Sequence, residues 1–127
     1  MNIGIIGSGG REHALCFKLK LSKIVDKIYC FPGNAGTNLI AENINIDPNN
    51  FEGIKKISEE KKIELLVVGP EKPLVDGITD YFKNTNIKIF GPSKISSQLE
   101  GSKIFTKKLC KKYNIPTSKF DIFYDQS

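Results

Sequence analysis

The chain has 127 residues, 39% hydrophobic and 26% charged, a size and balance suited to one compact domain with its own core. It has no run of about 18 apolar residues and no charged start followed by an apolar signal core, which argues against a membrane span or secretory peptide and makes the cytoplasm the expected location. The formal net charge of +5 could draw phosphate-bearing partners, but the lysines are spread along the chain, with pairs such as Lys55-Lys56, Lys61-Lys62 and Lys111-Lys112 on expected helices, so they read as solvated faces and not as a nucleic-acid surface.

Ile3 to Ile6 is a short apolar run, as expected of a buried parallel strand, and Gly7 ends it. A helix is predicted from Arg11 to about Leu21, with Ala14, Phe17 and Leu21, joined by Leu15 and Leu19, turned to the sheet. Residues 28 to 31 form a second strand that breaks at "PGNAGT". A brief strand around Asn43 to Ile46 leads to "DPNN", where Asp47 or Asn49 can cap a helix carrying Phe51, Ile54 and Ile57 on one side. The strand "ELLVV" at 64 to 68 runs into the loop "GPEKP". Leu74, Val75, Ile78, Tyr81 and Phe82 then keep helical spacing, and "IKIF" at 87 to 90 is a further strand stopped by Gly91 and Pro92. Residues 95 to 101 read as a helical turn, and Gly101-Ser102 opens another helix with Ile104, Phe105, Leu109 and Tyr113 inward. The closing "SKFDIFYDQS" reads as a strand with nothing after it to pair with.

Strands alternating with helical segments at short spacing argue for a Rossmann-like, doubly wound α/β fold, its mainly parallel sheet covered by helices on both faces. In such a sheet the loops "GSGG", "PGNAGT", "GPEKP" and "GPS" gather along the rim at the strands' carboxyl ends, where ligands bind.

The first of these loops raises the main chemical question, because the chain's single arginine and single histidine, Arg11 and His13, stand directly behind Gly7, Gly9 and Gly10. A glycine loop between strand and helix exposes backbone N–H groups and the positive end of the helix dipole. A dinucleotide would call for G-x-G-x-x-G and an acid at the end of the second strand. Here Glu12 stands at the third glycine, and the second strand ends in Phe31-Pro32-Gly33. A P-loop would need Gly-Lys-Ser/Thr, and a phosphoacceptor domain would need acids where this loop has glycine and serine. What remains is a small phosphorylated or polyhydroxylated molecule on the rim. Arg11 or His13 would contribute charge or hydrogen bonds, or else Glu12 offsets the dipole, Arg11 pairs with it and His13 packs. Glu71, between Pro70 and Pro73, is a second candidate, its carboxylate held on a pinned loop where an amine or ribose hydroxyl could meet it. Cys16, Cys30 and Cys110 are odd in number and widely spaced, as fits reduced thiols. One histidine and no CxxC point to no zinc site.

The segments "GSGGREHAL", "PGNAGT", "VVGPEKPLVDGI", "IFGPS" and "QLEGSKIFTK" with "IPT" occur in this order and spacing in the amino-terminal part of the phosphoribosylamine–glycine ligase (glycinamide ribonucleotide synthetase) family, which the whole chain resembles. The resemblance implies an ATP-grasp enzyme of de novo purine synthesis that joins glycine to 5-phosphoribosylamine, using ATP and Mg2+ or Mn2+, by way of a glycyl phosphate. Residues 1–117 would be the pre-ATP-grasp domain, and 118–127 would open an ATP-grasp region on which that domain packs and which binds ATP and metal. A stand-alone nucleotide- or dinucleotide-binding module is the alternative. By the same resemblance Gly9, Gly10, Arg11, Glu12 and His13 would line the ribonucleotide pocket, Asn34 and Gly36 would shape its side, and Pro70 and Glu71 would meet sugar or amine. Lys103 would approach the ATP phosphates. No catalytic residue and no metal ligand is assigned within the chain.

Overall fold

The computed structural model describes residues 1–123. Its strands are β1 (Asn2–Gly7), β2 (Lys27–Pro32), β3 (Glu42–Asn43), β4 (Ile63–Val68) and β5 (Lys88–Phe90), paired in parallel in the order β3-β2-β1-β4-β5. The helices are α1 (Gly10–Lys20), α2 (Phe51–Glu60), α3 (Glu71–Asp76), α4 (Ile78–Phe82), α5 (Lys94–Gly101) and α6 (Lys103–Lys112), with a 3-10 turn at Thr37–Leu39. The chain winds outward from β1 to β2 and β3, then returns to the other side of β1 for β4. That reversal is the topological switch point of an open α/β sheet, and it lies where β1 and β4 meet.

The alternation of side chains along the strands divides the core in two. Ile3 and Ile5 of β1 and Ile28 and Cys30 of β2 face α1 and enclose Cys16. Ile6, Tyr29, Phe31 and Leu66 face the other way, onto Ile54 of α2, Leu74 of α3 and Ile78 and Phe82 of α4. Because both faces are covered, the strands read as continuous apolar runs and not as alternation.

Several local expectations shift. On α1 the buried positions are Glu12 and Cys16, with Leu15 and Leu19 packed at their edge, whereas Ala14 is exposed, Phe17 is 60% exposed and Leu21 67%. The helix is rotated from the expected stripe because Glu12 has its own partners at the rim. The cap of α2 is Asn50, whose Oδ1 accepts the Gly53 amide at 3.0 Å, while Asp47 accepts the Asn49 amide one turn earlier. The helical spacing from Leu74 to Phe82 is split at Gly77, whose φ of 103° belongs to the left-handed region. Around α6, Ile104, Phe105 and Tyr113 are exposed, not inward, and the helix buries no residue. Residues 118–123 form no strand, and the rest of the strand expected there lies outside the described residues.

Candidate functional site at the switch point

Three of the four glycine-bearing loops meet at the carboxyl ends of β1, β2 and β4. The Gly33 amide donates to Gly7 O at 3.1 Å and the Gly69 amide to Ile6 O at 3.0 Å, so the parallel pairing continues past the strands and draws the loops together. Asn34 adds a side-chain bracket: its Nδ2 donates to Ser8 O at 2.8 Å and Gly9 O at 3.2 Å. Thr37 and Asn43 buttress this loop, with Thr37 Oγ1 taking the Asn34 amide at 2.7 Å and Asn43 Nδ2 donating to Asn34 O at 2.7 Å. The fourth loop, "GPS", follows β5 at the same end of the sheet, but Gly91 packs on Leu74 and Ser93 caps α5.

Within the glycine loop, Glu12 is 4% exposed. Its Oε2 accepts the Gly9 amide at 2.6 Å and its Oε1 accepts Arg11 Nε at 3.2 Å. The Arg11 guanidinium reaches across the rim and donates to Gly69 O. A Cβ on Gly7, Gly9 or Gly69 would in each case meet the Glu12 side chain first. These glycines therefore make room for an internal carboxylate. A Cβ on Gly10 would meet nothing within 4 Å, which leaves Gly10 as the loop glycine open to solvent.

Gly9 is the N-cap of α1, and the first intrahelical bond is His13 N to Gly9 O at 3.1 Å. The amides of Gly10 and Arg11 are accordingly directed at the rim without an intrahelical acceptor. The His13 ring is half-buried and lies against Gly36, where any Cβ would strike it, and its nitrogens make no hydrogen bond among the described residues. Glu71 is not on a loop. It is the exposed first residue of α3, with Pro70 at the N-cap, a position that favours a carboxylate electrostatically. Lys103 is the exposed first residue of α6 and makes no contact with the rim among the described residues.

The structure thus brings together Gly9, Gly10, Arg11, Glu12, Asn34 and Pro70, with His13 and Gly36 on one flank and Glu71 on the other, and leaves Lys103 apart. It also adds Gly69 and Thr37, both inside motifs visible in the sequence yet without a charge or ring to single them out. A groove of about 470 Å³ between Lys20 and Glu42 lies elsewhere, at the outer edge of β2, and holds none of these residues. No three His, Cys, Asp or Glu side chains cluster to hold a metal ion among the described residues, and no helix there is long and apolar enough to cross a membrane.

A five-stranded parallel sheet with helices on both faces and convergent glycine loops at its switch point defines an α/β domain of the ligand-binding, doubly wound class. Residues 1–100 match the family described as "Phosphoribosylglycinamide synthetase, N domain", and the chain belongs to that family. It is 50% identical over 123 residues to the phosphoribosylamine–glycine ligase of Caldanaerobacter subterraneus subsp. tengcongensis, covering 97% of this chain and 30% of the relative. Among solved structures, the phosphoribosylamine–glycine ligase of Thermotoga maritima matches with a TM-score of 0.68 and 32% identity, over 95% of this chain and 27% of that one. The N5-carboxyaminoimidazole ribonucleotide synthetase of the same organism shares the fold, with a TM-score of 0.68 at 22% identity, over 98% of this chain and 34% of that one. The chain spans about 30% of the length of the curated relatives it matches.

Proposed function

We propose that the described residues form the ribonucleotide-binding domain of an ATP-grasp ligase that joins glycine to 5-phosphoribosylamine, giving glycinamide ribonucleotide, ADP and phosphate, in the cytoplasmic synthesis of purines. The observation that carries this reading is the meeting of the three loops at the switch point, in a chain of the synthetase N-domain family. The amides of Gly10 and Arg11 and the ring of His13 face the position of the ligand, Asn34 and Gly36 shape its side, and Glu71 stands where a sugar hydroxyl or the reacting amine would meet a carboxylate. Glu12 and Arg11 hold these groups in place from behind. ATP supplies the phosphoryl group that activates glycine. ATP and Mg2+ are bound mainly by the sequence that the longer relatives carry beyond these residues, with residues 118–127 opening that region and the present domain packing on it. Lys103 reaches the phosphates in that assembly. No proton transfer is assigned to any side chain of this domain.

Titration of the 15N-labelled chain with glycinamide ribonucleotide tests the reading. The amides of residues 8–13 and 33–37 and those of Gly69 and Glu71 should shift together and saturate. A titration that leaves residues 8–13, Gly69 and Glu71 unmoved overturns it.

A further inference from the structure

Apart from the rim, the molecule holds a pair of nucleophilic side chains that the proposed function does not use. Cys16 of α1 and Cys30 of β2 are both fully buried, with Sγ atoms 3.2 Å apart. Neither is in a disulfide, and the surrounding residues are Ile3, Ile5 and Ile28, with Leu15, Leu19 and Val25 at the edge. The contact is a sulfur–sulfur hydrogen bond in a largely apolar shell, with the buried Thr37 hydroxyl beside Cys30 and the Glu12 carboxylate acting on Cys16 from one helical turn away. The third cysteine, Cys110, lies on α6 and is half-buried.

We propose that Cys16 and Cys30 are a dithiol site that a small peroxide converts to an intramolecular disulfide, stapling α1 to β2. The sulfurs need to approach by about 1 Å to reach the bond length of about 2.05 Å. They also lie on the two elements that carry the walls of the rim: Cys16 is one helical turn after Glu12, and Cys30 is four residues before Asn34. The hydrogen bond from Cys30 lowers the Cys16 thiol below its ordinary value, which favours Cys16 as the attacking thiol, while the hydrogen bond with Cys16 and burial raise Cys30.

Cys16 thiolate attacks one oxygen of the peroxide, the O–O bond breaks, and the departing oxide takes a proton and leaves as water or alcohol. The product is a sulfenic acid at Cys16. Cys30 sulfur then attacks the Cys16 sulfur, the S–O bond breaks, and the sulfenic oxygen leaves as water with the Cys30 proton. Two electrons pass from the two thiols to the peroxide. α1 covers the pair together with Ile40 and Ala41 beyond the 3-10 turn, so a small oxidant enters when these segments open locally, whereas bulky alkylating reagents meet the half-buried Cys110 first.

The test uses the folded chain and its Cys110→Ser variant, each reduced, treated with hydrogen peroxide, then alkylated after unfolding and mapped by peptide mass spectrometry. The expected result in both is a peptide pair joined through Cys16 and Cys30 that dithiothreitol reverses, with a loss of two hydrogens in the intact mass of the Cys110→Ser variant before alkylation. Peroxide added to the unfolded chain should instead give a mixture of pairings that includes Cys110. Recovery of Cys16 and Cys30 as free thiols, or as separately oxidised sulfinic acids, after all of Cys110 has reacted would overturn the proposal. So would a Cys16–Cys30 link that forms only after unfolding.

Discussion

Gly69 and Glu12 compete for the same space. A Cβ added at Gly69 would overlap Glu12 Oε1, and the carbonyl of the same glycine accepts the Arg11 guanidinium that also pairs with Glu12. The loop after β4 is thereby built around the first turn of α1, so that two segments 57 residues apart in sequence form one unit. Gly69→Ala should destabilise the fold by about 1–3 kcal/mol through overpacking. Adding Glu12→Ala to it should cost less than the sum of the two single changes, because the clash has been removed. Urea denaturation of the two single variants and the double variant measures the coupling, and strict additivity would show that the two residues do not share that space.

The carboxylate itself can be separated from its bulk. Glu12→Ala leaves the Gly9 amide without its acceptor where the carboxylate was nearly closed to water, while the exposed Arg11 keeps Gly69 O, an expected loss of about 1–3 kcal/mol. Glu12→Gln keeps an oxygen for the Gly9 amide and should recover most of that loss. Equal destabilisation by the two substitutions would mean that charge, and not the hydrogen bond to Gly9, fixes the loop.

Gly10 is the contrasting position. With nothing within 4 Å of its absent Cβ and a place at the first position of α1, Gly10→Ala should leave stability unchanged or raise it by about 0.5–1 kcal/mol. On the proposed function the added methyl stands where the ribonucleotide approaches, so binding of glycinamide ribonucleotide should weaken about tenfold, or about 1.4 kcal/mol. Calorimetry on a variant of unchanged thermal stability reads this directly, and undiminished affinity would remove Gly10 from the site.

Gly10 and the other loop glycines differ in a way that local sequence only partly encodes. The apolar runs of β1, β2 and β4, the turn residues after them and the meeting of their loops follow from periodicity and from the parallel topology it implies. The direction of Glu12 does not. As a charged residue one position inside a helix it reads as exposed, and only the coincidence of glycines at 7, 9 and 69 gives it a cavity, a long-range relation invisible to local spacing. Once Glu12 turns inward, α1 must rotate to follow, so that Cys16 replaces Phe17 against the sheet. Glu71 was displaced for a simpler reason: Pro70 is a good residue just ahead of a helix, and Pro73 fits its first turn, so two prolines that suggest a pinned loop also open α3.

Acid should release one tertiary link in a defined way. The Asp76 carboxylate accepts Lys72 Nζ at 2.6 Å and also Asn49 Nδ2, which ties α3 to the segment leading into α2. The hydrogen bond from Lys72 is the main cause that holds this carboxyl below its usual value, with Asn49 and Lys94 contributing in the same direction. A depressed folded-state pKa means that the link stabilises fully above the unfolded value of about 3.9 and is lost as pH falls through the folded one. The stability difference between the chain and its Asp76→Asn variant should therefore be constant near neutrality and vanish in strong acid. An NMR titration placing the Asp76 carboxyl at or above the ordinary aspartate range would contradict this.

α6 leaves several of its apolar residues exposed among the described elements. Ile104 is 45% exposed, Phe105 37% and Tyr113 60%, while the half-buried Thr106 donates its hydroxyl to Leu99 O of α5. A residue that gains little burial on folding loses little when replaced. The double substitution Ile104→Ser and Phe105→Ser should thus change the stability of this chain by less than about 1 kcal/mol, whereas Ile54→Ala, which opens a cavity between α2 and the sheet, should cost about 2–5 kcal/mol. The same double substitution placed in a relative of full length should be far more harmful, because the proposed adjoining domain would cover that face. Thermal unfolding of both proteins makes the comparison, and an equally mild effect in the long protein would mean that α6 stays exposed there and that the adjoining domain docks elsewhere.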